Sequence, residues 1–516
     1  MRHILPAAAL SAVSAVLAGQ APAQITPEDA WTLYAEQVRA TGLEIRATES
    51  RVGQTLVLSN ILFAVPLPDA IGSLEILAGP VQLTGQEDGS VSIHYPENTR
   101  IRIVGRSAEN PQLQLDAAIT VAMADHTSVA TGTPVEILLR SSSSSLQFRL
   151  AELRLRGDPE IEGLSSEQIR LSYSISSPES ARFYRRDDGL VHLEAQSTAG
   201  EIAYEFVIDL PEAGVRSQNY GTTAATETSF ALSLPRGGID YADLSSSLRA
   251  GMTLEAATRT SGTTTMAISS IGDQASSLQD SRSASGNATL RLGSGGFAVL
   301  AETTGIALSY SMPDLLPFAV NGTVGGLQFS ASFPVLASGD TQRASYAVAL
   351  SDLAVEDRLF RLLDPTGLVP QDPLSFEVDV ESRVRLLADV LDFATIGQMI
   401  RMFINPVEVS EVTLNQGNLS GFGAAVESSG HFTLDFEDLE SFDGMPRPEG
   451  TATARLSGVN QLLDRLVTVG LLGDGQAGAA RMGLGMMTRV VGDDMLESNV
   501  EITPEAQVFV NGARMR

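Results

Sequence analysis

The chain has 516 residues, a net charge of -28 and no cysteine. That composition removes disulfides, thiol catalysis and cysteine-based metal sites, and it creates a field that repels nucleic acid and anionic membrane surfaces. Apolar residues make up 43% of the chain but aromatics only 5%, so the core must be built mainly from Leu, Val, Ile and Ala. Every basic residue is Arg, which reflects compositional bias.

Residues 1–23 have the form of a secretory signal peptide. Arg2 and His3 precede an apolar run over residues 4–19, and Ala21-Pro22-Ala23 supplies a small-x-small cleavage site before Gln24. The run is shorter than the roughly 20 residues that a membrane-spanning helix needs. The best later candidate, residues 386–404, carries Asp389, Asp392 and Arg401. The expectation is export to the periplasm with no transmembrane span after cleavage. No cysteine follows the signal to carry a lipid anchor.

A helix follows the signal. Thr26 is its N-cap, Pro27 takes the first helical position, and Glu28 and Asp29 complement the positive helix end. Trp31, Tyr34, Ala35 and Val38 fall on one face, and Gly42 ends the helix. Trp31, the only tryptophan, is read as a core anchor.

From Leu43 the hydrophobic period changes to two. Leu113, Leu115, Ala117, Ile119, Val121 and Met123 alternate with polar residues. So do Ile169, Leu171, Tyr173 and Ile175, and then Ile202, Tyr204, Phe206, Ile208 and Leu210. One buried and one wet face mark antiparallel sheet. Asp88-Gly89, Asp188-Gly189, Asn321-Gly322, Asp443-Gly444 and Asn511-Gly512 offer tight-turn chemistry. The polar stretch 269–287 reads as a loop or linker, dividing a β-rich region with a leading helix (24–268) from a second β-rich region (288–516). In the second region Leu387, Val390, Leu391 and Ala394 share a helical face. Leu462, Leu463 and Leu466 begin another helix, and Ala479, Met482, Gly483, Met486 and Val490 a third. The last two are expected to lie on the open apolar face of the sheet. Val500 and Ile502, then Val508 and Val510, close the chain with a hairpin. The expected fold is mainly β: a long curved antiparallel sheet built from hairpins, with one N-terminal helix and two or three C-terminal helices.

Motifs for chemistry are weak. Gly473-Asp474-Gly475-Gln476-Ala477-Gly478 fits GxGxxG, but a helical segment precedes it where a dinucleotide site needs a strand. His94, His126, His192 and His431 are scattered. No HExxH or GxSxG occurs, although a Ser/His/Asp triad assembled across strands would leave no motif. The acidic cluster Asp435, Glu437, Asp438, Glu440 and Asp443 lacks the spacing of a calcium loop and reads as a solvated loop. Arg182-Phe183-Tyr184-Arg185-Arg186 reads as a strand entering a hairpin with local ion pairing. Its alternative role is contact with an anionic glycan or lipid headgroup. No residue is assigned a catalytic, cofactor-binding or metal-binding role, and no cofactor is expected.

Two places carry a resemblance. The opening Thr26-Pro27-Glu28-Asp29-Ala30-Trp31, followed by Gly42-Leu43-Glu44-Ile45, is similar to the start of an exported alphaproteobacterial family, domain-of-unknown-function family 2125 (DUF2125). In the C-terminal third, Val407-Glu408-Val409 and Val412-Thr413-Leu414 precede Gly417-Asn418-Leu419-Ser420-Gly421-Phe422-Gly423. Gly430-His431-Phe432, Pro448-Glu449-Gly450 and Leu462-Leu463-Asp464-Arg465-Leu466 follow. This order of strand, glycine-marked strand, Pro-x-Gly turn, strand and apolar helix resembles the same family. It also resembles the large AsmA-like and YdgA-like envelope proteins. The resemblance implies export, an elongated β-rich shape and an envelope setting, and it brings no catalytic residues. The expected function is therefore a non-enzymatic envelope protein that handles lipid or binds a partner through a curved β groove. The alternatives are a secreted hydrolase with an unrecognised site and a purely structural envelope module.

Overall fold

The computed structural model describes residues 24–65, 72–158, 162–272 and 276–516; the expected signal peptide, residues 1–23, lies outside them. Of the described residues, 60% are strand and 13% helix, so the chain is mainly β, as its alternation predicts. Helix α1 (Pro27–Ala40) forms where its capping residues stand. Asp29 N–H donates to the Thr26 hydroxyl at 3.1 Å, and Thr26 N–H donates back to Asp29 Oδ2 at 2.9 Å.

Strands β1 (Glu44–Val52) and β2 (Thr55–Val65) form a hairpin. Beyond β2 the chain runs back and forth in pairs of collinear strands. These are β3 (Gly72–Ala78) with β4 (Val81–Gly85), β5 (Val91–His94) with β6 (Asn98–Ser107), and β7 (Gln114–Ala124) with β8 (Thr127–Thr133). Next come β9 (Glu136–Ser142) with β10 (Ser145–Arg156), β11 (Ile169–Ser176) with β12 (Glu179–Arg186), and β13 (Leu190–Ala199) with β14 (Ile202–Leu210). The long strand β15 (Val215–Pro235) receives β14 along one half and β13 along the other, as β2 receives β3 and β4. The pairing thus closes a fourteen-strand antiparallel ring, a barrel in connectivity, with two six-strand arms lying end to end between β2 and β15. The expected long curved sheet built from hairpins does not include this closure.

From β15 the sheet continues as a meander: β16 (Thr253–Ile271), β17 (Ser277–Gly293), β18 (Gly296–Ser311), β19 (Val320–Phe333), β20 (Gln342–Val355), β21 (Leu374–Leu386), β22 (Val407–Gly421), β23 (Ala424–Asp435) and β24 (Arg447–Ser457). Strands β25 (Arg489–Gly492), β26 (Met495–Ile502), β27 (Val508–Val510) and β28 (Ala513–Arg514) finish it. Val500 pairs with Val510 and Ile502 with Val508, the hairpin expected. Short helices α2 (Leu244–Arg249), α3 (Asp357–Leu363) and α4 (Phe393–Arg401) cross between strands, and α5 (Val459–Thr468) and α6 (Asp474–Met487) lie between β24 and β25.

One irregularity recurs along nearly every long strand. In β11 the apolar face is odd-numbered (Ile169, Leu171, Tyr173, Ile175), whereas in β12 it is even-numbered (Arg182, Tyr184). An extra residue at the junction resets the alternation, as a β-bulge does. Positive φ marks the same line at Asn60 (49°), Asp125 (50°), Ser177 (44°), Gly262 (64°), Gly305 (60°) and Asp352 (53°). Across the later strands the ladders skip Ala224 and Gly262 together, then Gly262 and Ala284. The bulges therefore form a seam across the sheet, and apolar residues stay on the same face on both sides of it. On β2 this lets Leu56 and Leu58 on one side, and Ile61 and Phe63 on the other, all pack in the cluster under α1.

Several expectations need correction. The stretch 269–287 is no linker, since it contains the end of β16 and the first half of β17, paired from Ser269–Ser277 onwards. Its low hydropathy reflects strands whose two faces are both polar there. Asn321-Gly322 lies inside β19, and Pro448-Glu449-Gly450 inside β24, not in turns. Helix α4 begins at Phe393, so Leu387, Val390 and Leu391 precede it, and Val490 belongs to β25. On α1 Leu33, Ala35 and Ala40 are the most buried, at 1% exposure, while Tyr34 is 38% exposed. Helix α5 packs on β23 with Leu462, Leu463 and Leu466 half-buried. Helix α6 does not cover the sheet with its methionines: Met482 is 67% exposed.

Leu33→Ala is expected to cost about 2–5 kcal/mol, as truncation of a buried leucine does. Met482→Ala should stay within about 0.5 kcal/mol of the parent. Urea unfolding of the two variants checks both values.

Candidate functional site

Helix α1 lies across the arm made of β4, β5, β8, β9, β12 and β13, and encloses a cavity of about 200 Å³ against it. The floor is aliphatic, with Leu58 and Ile61 of β2, Leu83 of β4, Ile93 of β5, Ala130 of β8 and Ile137 of β9. The roof is Trp31, Leu33 and Tyr34. Trp31 is fixed by its indole N–H, which donates to Glu49 Oε1 at 2.7 Å. The far end of α1 is tied to β12 through Arg186, whose guanidinium reaches both Glu36 oxygens at 2.9 and 3.0 Å.

Polar groups gather on one flank. Tyr34, Tyr95, Tyr184 and Arg182 all line the cavity, and the Tyr34 and Tyr184 rings meet edge-on at 6.4 Å. Burial pushes the Tyr34 hydroxyl up to about 12, with the neighbouring Tyr184 and Tyr95 adding to the shift. Burial also raises Tyr95 and Tyr184. Arg182 stands on the apolar face, opposite Leu139 on one neighbouring strand and Ala195 on the other. Its guanidinium is exposed, and no carboxylate among the described residues lies within 4.0 Å of it. The local ion pairing expected of the stretch 182–186 therefore holds for Arg186 and fails for Arg182. A larger open trough of about 840 Å³ occupies the opposite face, lined by Ser, Thr and the ion pair Arg259–Glu227. It has no enclosed apolar surface, and its charges already face partners or water.

A second constellation assembles across strands. His192 Nδ1 lies 2.9 Å from Ser233 Oγ, and His192 Nε2 lies 3.0 Å from Asp187 Oδ2. The imidazole, followed by the backbone N–H groups of Leu190 and Gly189, holds the Asp187 carboxyl far below the usual carboxylate range. This is the hydrogen-bond order of a Ser-His-Asp relay. Ser233, however, sits within β15, two residues from its end, paired with His192 on β13 and Thr253 on β16. Backbone N–H groups around it are spent in those ladders, so no pair is free to hold an oxyanion.

The remaining sequence candidates resolve into structural roles. Arg447 binds Asp435 at 2.6 Å and Asp438 at 3.0 Å, which occupies two members of the acidic cluster. No group of three metal-ligating side chains occurs among the described residues. Gly473 caps α6, its N–H donating to Gln476 Oε1 at 3.0 Å, and a helix, not a strand, precedes it. His126 bonds Ser143 across the β7–β8 and β9–β10 junctions, and His431 of β23 bonds Thr413 of the neighbouring β22. Burial, followed by the neighbouring His94, holds the His126 imidazole below its ordinary value. The sequence placed Tyr34 on the apolar face of the first helix and Tyr184 in the basic, aromatic stretch, but their meeting with Tyr95, and the inside position of Arg182, need the register of β12 to be seen. No helix among the described residues is long and apolar enough to cross a membrane. No family profile, curated protein or solved structure matches the chain.

A raised tyrosine contributes stability that is fully present below its unfolded value of about 10 and lost as pH rises through its folded value. Tyr34, at about 12, should thus add to alkaline unfolding between about pH 10 and 12. Tyr34→Phe should move the alkaline midpoint upward, followed by tyrosinate absorbance and circular dichroism together.

Proposed function

We propose that the protein is a non-enzymatic envelope protein, exported to the periplasm, whose long sheet curves into a groove that shelters lipid acyl chains. Kinship with the exported family 2125 is part of the same proposal. The observation that carries it is one row of side chains on the α1 face. Ala195, Phe230, Ala256, Leu290, Val299, Ala331, Tyr346, Val380 and Leu414 stand opposite one another across successive strands. The buried clusters end at α1 and at the rim formed by Leu248, Met252, Val335 and Leu336. Beyond them the apolar face keeps 37–46% of Phe329, Phe333, Tyr346 and Phe376 exposed. A continuous exposed apolar surface of this kind marks an interaction site. The seam supports the curvature, because bulges bend and twist the strands that carry them.

A photoreactive benzoylphenylalanine at Phe329 should crosslink lipid in the periplasm. The same residue at Gln328, on the opposite face, should not. Equal capture from both positions, or capture from neither, removes the lipid reading.

The Asp187–His192–Ser233 chain favours one second reading, a serine hydrolase. A fluorophosphonate probe decides it: labelling that Ser233→Ala abolishes would establish the reading. The absence of free oxyanion donors leads us to expect no labelling.

A further inference from the structure

We infer that the cavity under α1 is a binding site for a long-chain carboxylate, with Arg182 receiving the head group and the aliphatic floor receiving the chain. The inference rests on the lipid reading above and deepens it by naming the ligand and a specific seat.

The case begins with the row in which Arg182 stands. It continues the apolar row of the sheet through Leu139 to Ala130. Arg182 is the charged member of that line, and with no carboxylate within 4.0 Å among the described residues its exposed guanidinium is open to an incoming anion. Arg186, four positions on along the same strand, has Glu36. Arg182 instead donates a hydrogen bond to the Tyr184 hydroxyl, and Tyr34 and Tyr95 line the same cavity. A planar fork of N–H donors matches a carboxylate in two parallel hydrogen bonds, and phenol hydroxyls donate to the same oxygens. The net charge of -28 would repel an anion at long range. Screening confines that repulsion to about 8–10 Å, so recognition must be local, as a single cation beside an apolar cavity provides. One cation and a half-open cavity of about 200 Å³ suit one carboxylate and the nearer part of one chain, the rest leaving through the open side.

The flanks of the cavity fix the direction of binding. Strand order runs β12, β9, β8, β5, β4, β2. Arg182 and Tyr184 stand on the first of these strands, and Leu58 and Ile61 on the last. A chain whose head is at Arg182 therefore crosses beneath α1 towards β2, passing Trp31.

Trp31 is the only tryptophan, so contact quenching reports this cavity alone. Dibromostearate should quench Trp31 saturably and bind about tenfold or more tighter than the chain-matched brominated alcohol, the ratio expected for one charge-assisted contact. Arg182→Gln should bring acid and alcohol to the same affinity with an unchanged melting temperature. Arg182→Lys should keep part of the preference, because it retains the charge and loses the fork. Equal affinity for acid and alcohol in the parent protein overturns the proposal, and so does a preference that survives Arg182→Gln. Absence of quenching also overturns it, and if benzoylphenylalanine at Phe329 still captures lipid, the groove stands and only this seat falls. Quenching with the acid preference but no capture at Phe329 leaves the seat and removes the groove.

Discussion

The whole molecule depends on keeping one face of the sheet apolar while its strands bend. Side chains on a strand alternate with a period of two, so a single inserted residue sends every later side chain to the other face. In this protein the insertion occurs in strand after strand along one line, at positions such as Asn60, Ser177, Gly262 and Asp352. Because neighbouring strands shift together, the ladders on either side remain in register and the apolar rows rejoin. Without the extra residue at the Ser177 junction, Tyr184 and Arg182 would stand on the face opposite Ile175.

Helix α1 uses the surface that results. It packs on strands from both ends of one arm, β1, β2 and β4 on one side and β12 and β13 on the other. Its buried residues form the largest apolar cluster among the described residues. The cap at Thr26, the Trp31–Glu49 hydrogen bond and the Glu36–Arg186 ion pair hold it at three points along its length. The cavity exists because this helix spans the arm without filling it, and the tyrosines and Arg182 collect where helix and arm diverge.

Much of this was legible in the sequence, and the failures have physical causes. The alternation from Leu113 to Met123 announced strand because those residues do face one side for the whole of β7. The first helix announced itself through its cap. The seam was hidden, since a one-residue phase shift in a run such as Ile169 to Arg186 looks like a break between strands. The strand β17 reads as a linker in the sequence because its first half carries Ser, Gln and Asp on both faces, and hydropathy cannot signal burial where none occurs. Arg182 stands out in the sequence as part of a basic, aromatic stretch, but its side of the sheet follows only from pairing with Leu139 and Ala195. The meeting of His192 with Ser233, 41 residues apart, likewise needs a register that no local pattern encodes.

The meander beyond the ring makes the length of this protein a free variable. From β16 to β23 each strand pairs only with the strand before it and the strand after it. Such a stack is nearly one-dimensional, and its stability is a sum of neighbour terms. A hairpin could be gained or lost there without disturbing anything more than one strand away, on the sole condition that each new strand carries the extra residue at the seam. The N-terminal ring has no such freedom, because β15 must meet both arms at once. Lineages of this protein would then be expected to differ in reach, with the helix-bearing end held constant and the far end lengthened or trimmed two strands at a time.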